Sequence, residues 1–281
     1  MDSFKSLPSL RDIIHKHELS SKKSLGQNFI TDTNLLDKIA RSSGDISNSV
    51  VVEIGPGPGG LTRALLANGA KKVFAIEKDS RCIYALQSLV KAADGRLEII
   101  EEDALEINIK NLAGDSGKIK IIANLPYNVA TPLLLSWLDN IDVIESMVLM
   151  FQKEVAERIT ADPGSKAFGR LSVACQFLCE CRVLFDIPPQ AFIPQPKITS
   201  SLISIKPYTK IPFQANRKTL ETICRATFGQ RRKTLRVSLR QLTDDSEKLL
   251  AMAEIDSSTR PEDLSLDQFC RLARCFDELS E

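Results

Sequence analysis

The tetrapeptide Asn124-Leu125-Pro126-Tyr127 groups side chains suited to the chemistry of an aromatic amine. The Asn124 amide oxygen and a nearby backbone carbonyl can both accept from an NH₂ group. Pro126 restricts the backbone so that a carbonyl points inward. Tyr127 offers a flat ring for stacking on a base. An aromatic amine is a poor nucleophile because its lone pair is delocalised into the ring. Two acceptors aimed at its protons draw the nitrogen towards tetrahedral geometry. They also stabilise the positive charge that develops during attack. No strong general base is needed, since the product ammonium is acidic enough to lose its proton to water. Asn124, Leu125, Pro126 and Tyr127 are therefore the candidate catalytic residues.

A second cluster, Glu53-Ile54-Gly55-Pro56-Gly57-Pro58-Gly59-Gly60, follows a buried apolar run and opens a helical pattern. Glycines there let backbone approach a ligand closely. Glu77 ends the next strand-like run, where a carboxylate accepts from both hydroxyls of a ribose. Asp103 follows the third, where it can accept from an adenine amino group. The spacing is G-x-G-x-G rather than the dinucleotide G-x-G-x-x-G, and Pro56 and Pro58 have no N–H to offer a pyrophosphate. S-adenosyl-L-methionine, an adenosine carrying a methionine moiety, suits such a loop. A methyl sulfonium held in line with the amine completes an SN2 transfer, proximity supplying much of the acceleration.

These groups need a scaffold. Apolar β-branched runs at 50–54, 73–76, 97–100, 119–123 and 147–151 alternate with helical patterns at 61–67, 81–90, 132–138 and 153–160, after a first helix beginning at Asp32. That alternation predicts an α/β, Rossmann-like domain with a mostly parallel sheet. Asn124–Tyr127 then sits at a strand's carboxyl end, facing the glycine-loop crevice. Runs at 183–187 and 202–205 have only a short connection and suit an antiparallel edge. After Pro207 the pattern becomes helical (218–228, 233–242, 246–253, 264–276). The predicted division is 1–207, with 1–20 a loosely ordered extension, and 208–281, a small all-helical C-terminal domain.

At 281 residues, 43% hydrophobic and 26% charged, the chain is ordinary globular material. No apolar run approaches the ~20 residues that span a bilayer, and the polar start lacks a signal-peptide core. A cytoplasmic location with reduced thiols follows for the seven scattered cysteines. Cys175, Cys179 and Cys181 match no common zinc spacing and read as core residues. His15 and His17 are the only histidines. They read as surface residues, so neither a metal nor histidine acid–base chemistry is expected. The net charge of +1 conceals segregation. Arg225, Arg231, Arg232, Lys233, Arg236 and Arg240 lie together with no acid among them, and an acid-rich tail follows. The basic stripe predicts phosphate contact. No helix shows a coiled-coil seam, so a monomer is expected.

Five motifs in order, from about Lys22 to the C-terminus, resemble the rRNA adenine dimethyltransferases that act on small-subunit (16S) rRNA. They are Ser24-Leu25-Gly26-Gln27-Asn28-Phe29-Ile30, the glycine loop, Asn124–Tyr127 with its continuation to Leu134, Phe192-Ile193-Pro194-Gln195-Pro196-Lys197, and residues 228–235. The resemblance implies cofactor contacts from Asn28, Ile30 (through backbone), Gly55, Gly57, Glu77, Asp103, Ala104 and Asn124. It implies that Tyr127 and Phe192 sandwich a flipped adenine. It also implies four methyl transfers, giving two adjacent N6,N6-dimethyladenosines near the rRNA 3′ end, on an immature 30S particle. Arg231, Arg232 and Lys233 fall in the signature of the helical domain, and Lys166, Arg170 and Lys197 are further candidates for RNA backbone. Ile30, Thr199 and Val237 depart from the family's usual Leu, Asp and Asn.

Three other activities bear on the same residues. A large-subunit adenine methyltransferase of the antibiotic-resistance type shares the fold, but Leu125 and the 228–235 signature favour the small subunit. A mainly non-catalytic assembly factor would not need Glu77, Asp103 and Asn124–Tyr127 intact. A DNA adenine methyltransferase would more often carry Asp-Pro-Pro-Tyr or Asn-Pro-Pro-Tyr.

Overall fold

The structure, a computed structural model, describes residues 4, 7–19, 27–114 and 117–280. The elements run α1 Leu10–Lys16, β1 Phe29–Ile30, α2 Thr33–Arg41, β2 Val50–Ile54, α3 Gly60–Ala67, β3 Lys72–Glu77, α4 Ser80–Ala85, α5 Gln87–Ala92, β4 Leu97–Glu101, α6 Lys110–Ala113, β5 Ile119–Asn124, α7 Tyr127–Leu138, β6 Ile144–Gln152, α8 Lys153–Ile159, α9 Arg170–Leu178, β7 Cys179–Ile187, β8 Phe192–Ile193, β9 Ser200–Pro207, α10 Arg217–Gly229, α11 Leu235–Ser238, α12 Ser246–Met252 and α13 Leu266–Ser280. They form two compact units, Met1–Ala156 with Arg182–Pro207, and Glu157–Cys181 with Tyr208–Glu281.

In the first unit the main sheet has the order β4-β3-β2-β5-β6-β9-β7. β4, β3, β2, β5 and β6 are parallel, and β9 runs antiparallel to β6. The Rossmann-like expectation holds. Every residue of β2 is buried, the signature of a strand covered on both faces. The two late strands lie side by side at one end of the sheet, as expected. β9 pairs with β6, and β7 lies outermost beside β9. Because the first strands are parallel, the residues that end β2, β3 and β5 emerge on one side of the sheet. Gly55, Glu77 and Asn124 are delivered there together, with Asp103 just beyond β4.

The extension departs from expectation. Ser9 caps α1 by accepting from Asp12 N–H, and Leu10, Ile13 and Leu19 are buried. Ile13 and Leu19 pack with Phe29, Cys82 and Ala85. This short apolar face lacks a visible period by itself and is ordered by partners distant in sequence. The expected 81–90 helix is broken at Leu86 into α4 and α5, and the expected 233–242 helix is reduced to α11 and a 3-10 turn, Leu239–Gln241. α7 begins earlier, at Tyr127, and carries Pro132 inside it.

The second unit takes in more than the helices after residue 207. Glu157–Cys181, read from sequence as part of the sheet domain, belongs to it. The reason is aromatic. Phe168 meets Phe228 at 6.1 Å and Phe269 at 6.4 Å between ring centroids, and Phe228 stacks on Phe269 at 5.4 Å. Phe168 and Phe269 are fully buried. Local pattern does not reveal that a ring before α9 belongs with rings of α10 and α13. Of the three neighbouring thiols, Cys175 and Cys179 are buried and Cys181 is half-buried, and burial pushes all three above the ordinary thiol range.

Candidate active site

The glycine loop leaves β2 with Gly55 and Gly57 in the left-handed region, at φ +66° and +55°. At Gly57 there is also no room, since an added Cβ would lie 2.7 Å from the Phe29 ring. The loop and the tetrapeptide adjoin, the nearest atom to a Cβ built on Gly55 being Cδ of Pro126 at 3.8 Å. Together they line a cavity of about 200 Å³. Asn28, Ile30, Gly55, Gly57, Glu77, Asp103, Ala104, Asn124, Leu125, Pro126 and Tyr127 all face it.

Glu77 is buried and accepts three backbone N–H groups. Gly57 donates to Oε2 at 3.2 Å, and Lys78 and Asp79 donate to Oε1 at 2.9 and 2.8 Å. Burial raises its pKa, and the three donors oppose that rise. Asp103 receives Lys78 Nζ at 2.6 Å and Leu105 N–H at 3.0 Å. The Lys78 hydrogen bond leads in holding Asp103 below the usual carboxylate range. Asn124 donates from Nδ2 to the Asn28 carbonyl at 3.0 Å. A carbonyl can only accept, so this bond sets the amide orientation and leaves Oδ1 as the acceptor atom. The Tyr127 hydroxyl pairs with Ser200 Oγ at 2.6 Å, tying the ring to β9.

Phe192 is placed differently from these residues. It is not among the cavity-lining residues. Its side chain is only 3% exposed, within the main core, and its backbone pairs with Ile30. The second ring implied for the sandwich is thus packed in the core beside the Ile30 strand. The first three residues of the 24–30 motif lie outside the described residues.

Three residues without an assigned role join the site. Glu53 faces the cavity, with Oε2 buried and without a hydrogen-bond partner. Burial pushes its pKa up to about 8, Thr62 partly opposing and Glu77 reinforcing. Its place at the head of the glycine loop was the available signal. Asp79 caps α4, binds the Arg81 guanidinium through both oxygens at 3.0 and 2.6 Å, and receives Gln27 Nε2 at 3.2 Å. Led by Arg81, these contacts lower it to about 2. Phe29 covers Gly57.

The arrangement fits an adenosyl methyl donor. The glycine loop brings bare backbone to the cavity wall, carboxylates stand at the ends of two adjacent strands, and an oriented amide lines the same cavity. The family model for ribosomal RNA adenine dimethylase matches residues 18–278. A protein of Mesorhizobium japonicum named ribosomal RNA small subunit methyltransferase A is 51% identical over 277 residues, 96% of this chain and 98% of its own length. One of the same name from Rhodospirillum rubrum is 51% identical over 271 residues, 96% and 93% of the two chains.

The chain belongs to the ribosomal RNA adenine dimethylase family. Like the family, it is a methyltransferase that uses S-adenosyl-L-methionine. A dimethyladenosine transferase from Plasmodium falciparum has the same fold, with a TM-score of 0.76 and 25% identity, covering 90% of this chain and 98% of its own. The 23S rRNA methyltransferase ErmE shares the fold at a TM-score of 0.71 and 22% identity, covering 89% and 100%. In this dimethylase the basic candidates fall in both units. Lys197 is exposed in the first. Lys166, Arg170, Arg232 and Lys233 are exposed in the second. Arg231 is half-buried there, its guanidinium engaged by Glu262 at 2.9 Å and by the Lys166 carbonyl. That group is committed to the fold of its own unit.

Proposed function

We propose that this dimethylase converts two adjacent adenosines in the 3′-terminal hairpin loop of 16S rRNA to N6,N6-dimethyladenosine, acting on an immature 30S particle as a cytoplasmic monomer. The observation that carries the reading is the Asn124 amide. Its nitrogen is held by Asn28, and its oxygen is left to accept beside the glycine loop. In this reading Asn28, Gly55, Gly57 and the Ile30 backbone hold the methionine part, Glu77 the ribose, and Asp103 with Ala104 the adenine. When bound, the sulfonium supplies an electrophilic methyl group.

Asn124 and a backbone carbonyl at Leu125–Pro126 orient the target amine and favour the charge that develops on its nitrogen. Tyr127 stacks on the flipped base, its tilt set by Ser200. Leu125, fully buried, anchors the turn that carries these groups. Phe192, whose strand pairs with Ile30, supplies the second ring of the sandwich with Tyr127. Lys166, Arg170, Lys197, Arg232 and Lys233 contact RNA phosphates.

Relatives about half identical over nearly the whole chain bear small-subunit names. They favour this substrate over the large-subunit alternative, for which the similarity to a 23S enzyme carries fold alone. Tritiated S-adenosyl-L-methionine would be offered with immature small subunits, mature large subunits and naked large-subunit RNA. Dimethyladenosine in small-subunit RNA alone, lost in Asn124→Ala, is the expected result. Label in naked large-subunit RNA would transfer the protein to the resistance type. Tight subunit binding with no label would make it an assembly factor.

A further inference from the structure

The N-terminal segment, expected to be loose, is built onto the glycine loop at two points. Leu10 of α1 touches the far end, its Cδ1 lying 2.9 Å from where a Cβ on Gly60 would stand. Arg63 of α3 donates to the Pro8 carbonyl at 3.0 Å. At the middle of the loop the contact runs through Phe29. This ring covers Gly57 and is itself packed with Ile13 and Leu19. His17 adds an edge-on contact to Tyr84 of α4, 5.5 Å between centroids. The backbone N–H of Gly57, beneath that ring, is one of the donors that hold Glu77.

A loop with three residues at positive φ has many conformations when unsupported. The segment spanning residues 8–19 removes that freedom and holds the loop where Gly57 reaches Glu77. We infer that this segment is a strap whose docking is thermodynamically coupled to occupation of the cofactor cavity, with Phe29 as the positioning residue between them. The inference rests on the reading of the cavity as the S-adenosyl-L-methionine site. Preorganisation of the loop by the strap raises affinity. Linkage then requires the ligand to tighten the strap by the same factor.

Both directions are measurable on the full chain with S-adenosylhomocysteine as the probe. Calorimetry of Ile13→Asp and Leu19→Asp, with folding checked by circular dichroism, is expected to show binding about tenfold weaker, inside the usual range of coupling. Leu19→Met restores it, and exposed Lys16→Ala leaves it unchanged. In the native chain, trypsin cleavage after Arg11 and Lys16, both exposed on α1, reports undocking. Saturating S-adenosylhomocysteine is expected to slow it by a similar factor. Folded variants that bind as tightly as the native chain would overturn the coupling, as would cleavage indifferent to the ligand. The cleavage arm decides alone if the variants do not fold. A native chain that does not bind S-adenosylhomocysteine would overturn the cofactor reading itself, a different result from binding without coupling.

Discussion

Asn124 and Glu53 are the residues whose chemistry is most exposed to test. Removing an acceptor used as charge develops typically costs about 10²–10³ in rate, so Asn124→Ala is expected to lower methyl transfer by that order. The readout is tritium incorporation into small-subunit RNA. Glu53 has a different signature. Between the ordinary value of 4.5 and about 8, the folded chain keeps a proton that the unfolded chain has released. Its contribution to stability therefore falls as pH rises through that window. Glu53→Gln is expected to flatten this part of the profile, by at most about 1.4 kcal/mol per pH unit, as followed by thermal midpoints from pH 5 to 8. Asp79 acts in the opposite sense. Held at about 2 by Arg81 first, it stabilises the fold above its ordinary 3.8 and loses that contribution as pH falls towards 2. Glu77, Asp103 and Asn124 were legible because polar residues at strand ends stand out against apolar runs. Glu53 carries no legible role in the sequence, which does not show whether an acid beside a glycine loop is solvated.

At the scale of elements, the glycine loop and the aromatic cluster each carry a prediction. Gly57→Ala places a side chain at φ +55° and against Phe29. The left-handed conformation alone costs roughly 1–2 kcal/mol, and the contact adds to it. The expected outcome is a fold that survives with S-adenosylhomocysteine affinity largely lost, checked by calorimetry beside thermal melting. Phe168→Ala removes one fully buried ring from the cluster of the second unit. Burial of this kind is worth about 3–5 kcal/mol per ring, so the variant is expected to melt markedly lower. Strands and most helices were readable from period and composition. The failures lie where a helix is short or its partners are distant, as at α1, at Leu86 and after Lys233.

For the whole molecule, the decisive property is charge that the net of +1 does not disclose. Each phosphate contact to single-stranded RNA contributes about −0.7 to the slope of log affinity on log salt. Arg232→Ala with Lys233→Ala is expected to weaken small-subunit RNA binding and shallow that slope by about 1.4, measured by filter binding across a salt series. Arg231→Ala is expected to act otherwise. It removes the Glu262 pairing and lowers stability, with little of its effect in the salt slope. The sequence by itself determined the order of elements, the parallel sheet, the strand ends that carry the site, and the family, since all of these are written in local periodicity and contiguous motifs. Only the tertiary structure decided that residues 8–19 fasten onto the glycine loop, that 157–181 join the helical unit, that Phe192 is buried and that Arg231 is already paired. The physical reason is common to all four. Each depends on which apolar surface or opposite charge is met across a long chain separation, and a side chain's own type is the same whether that partner is present or not.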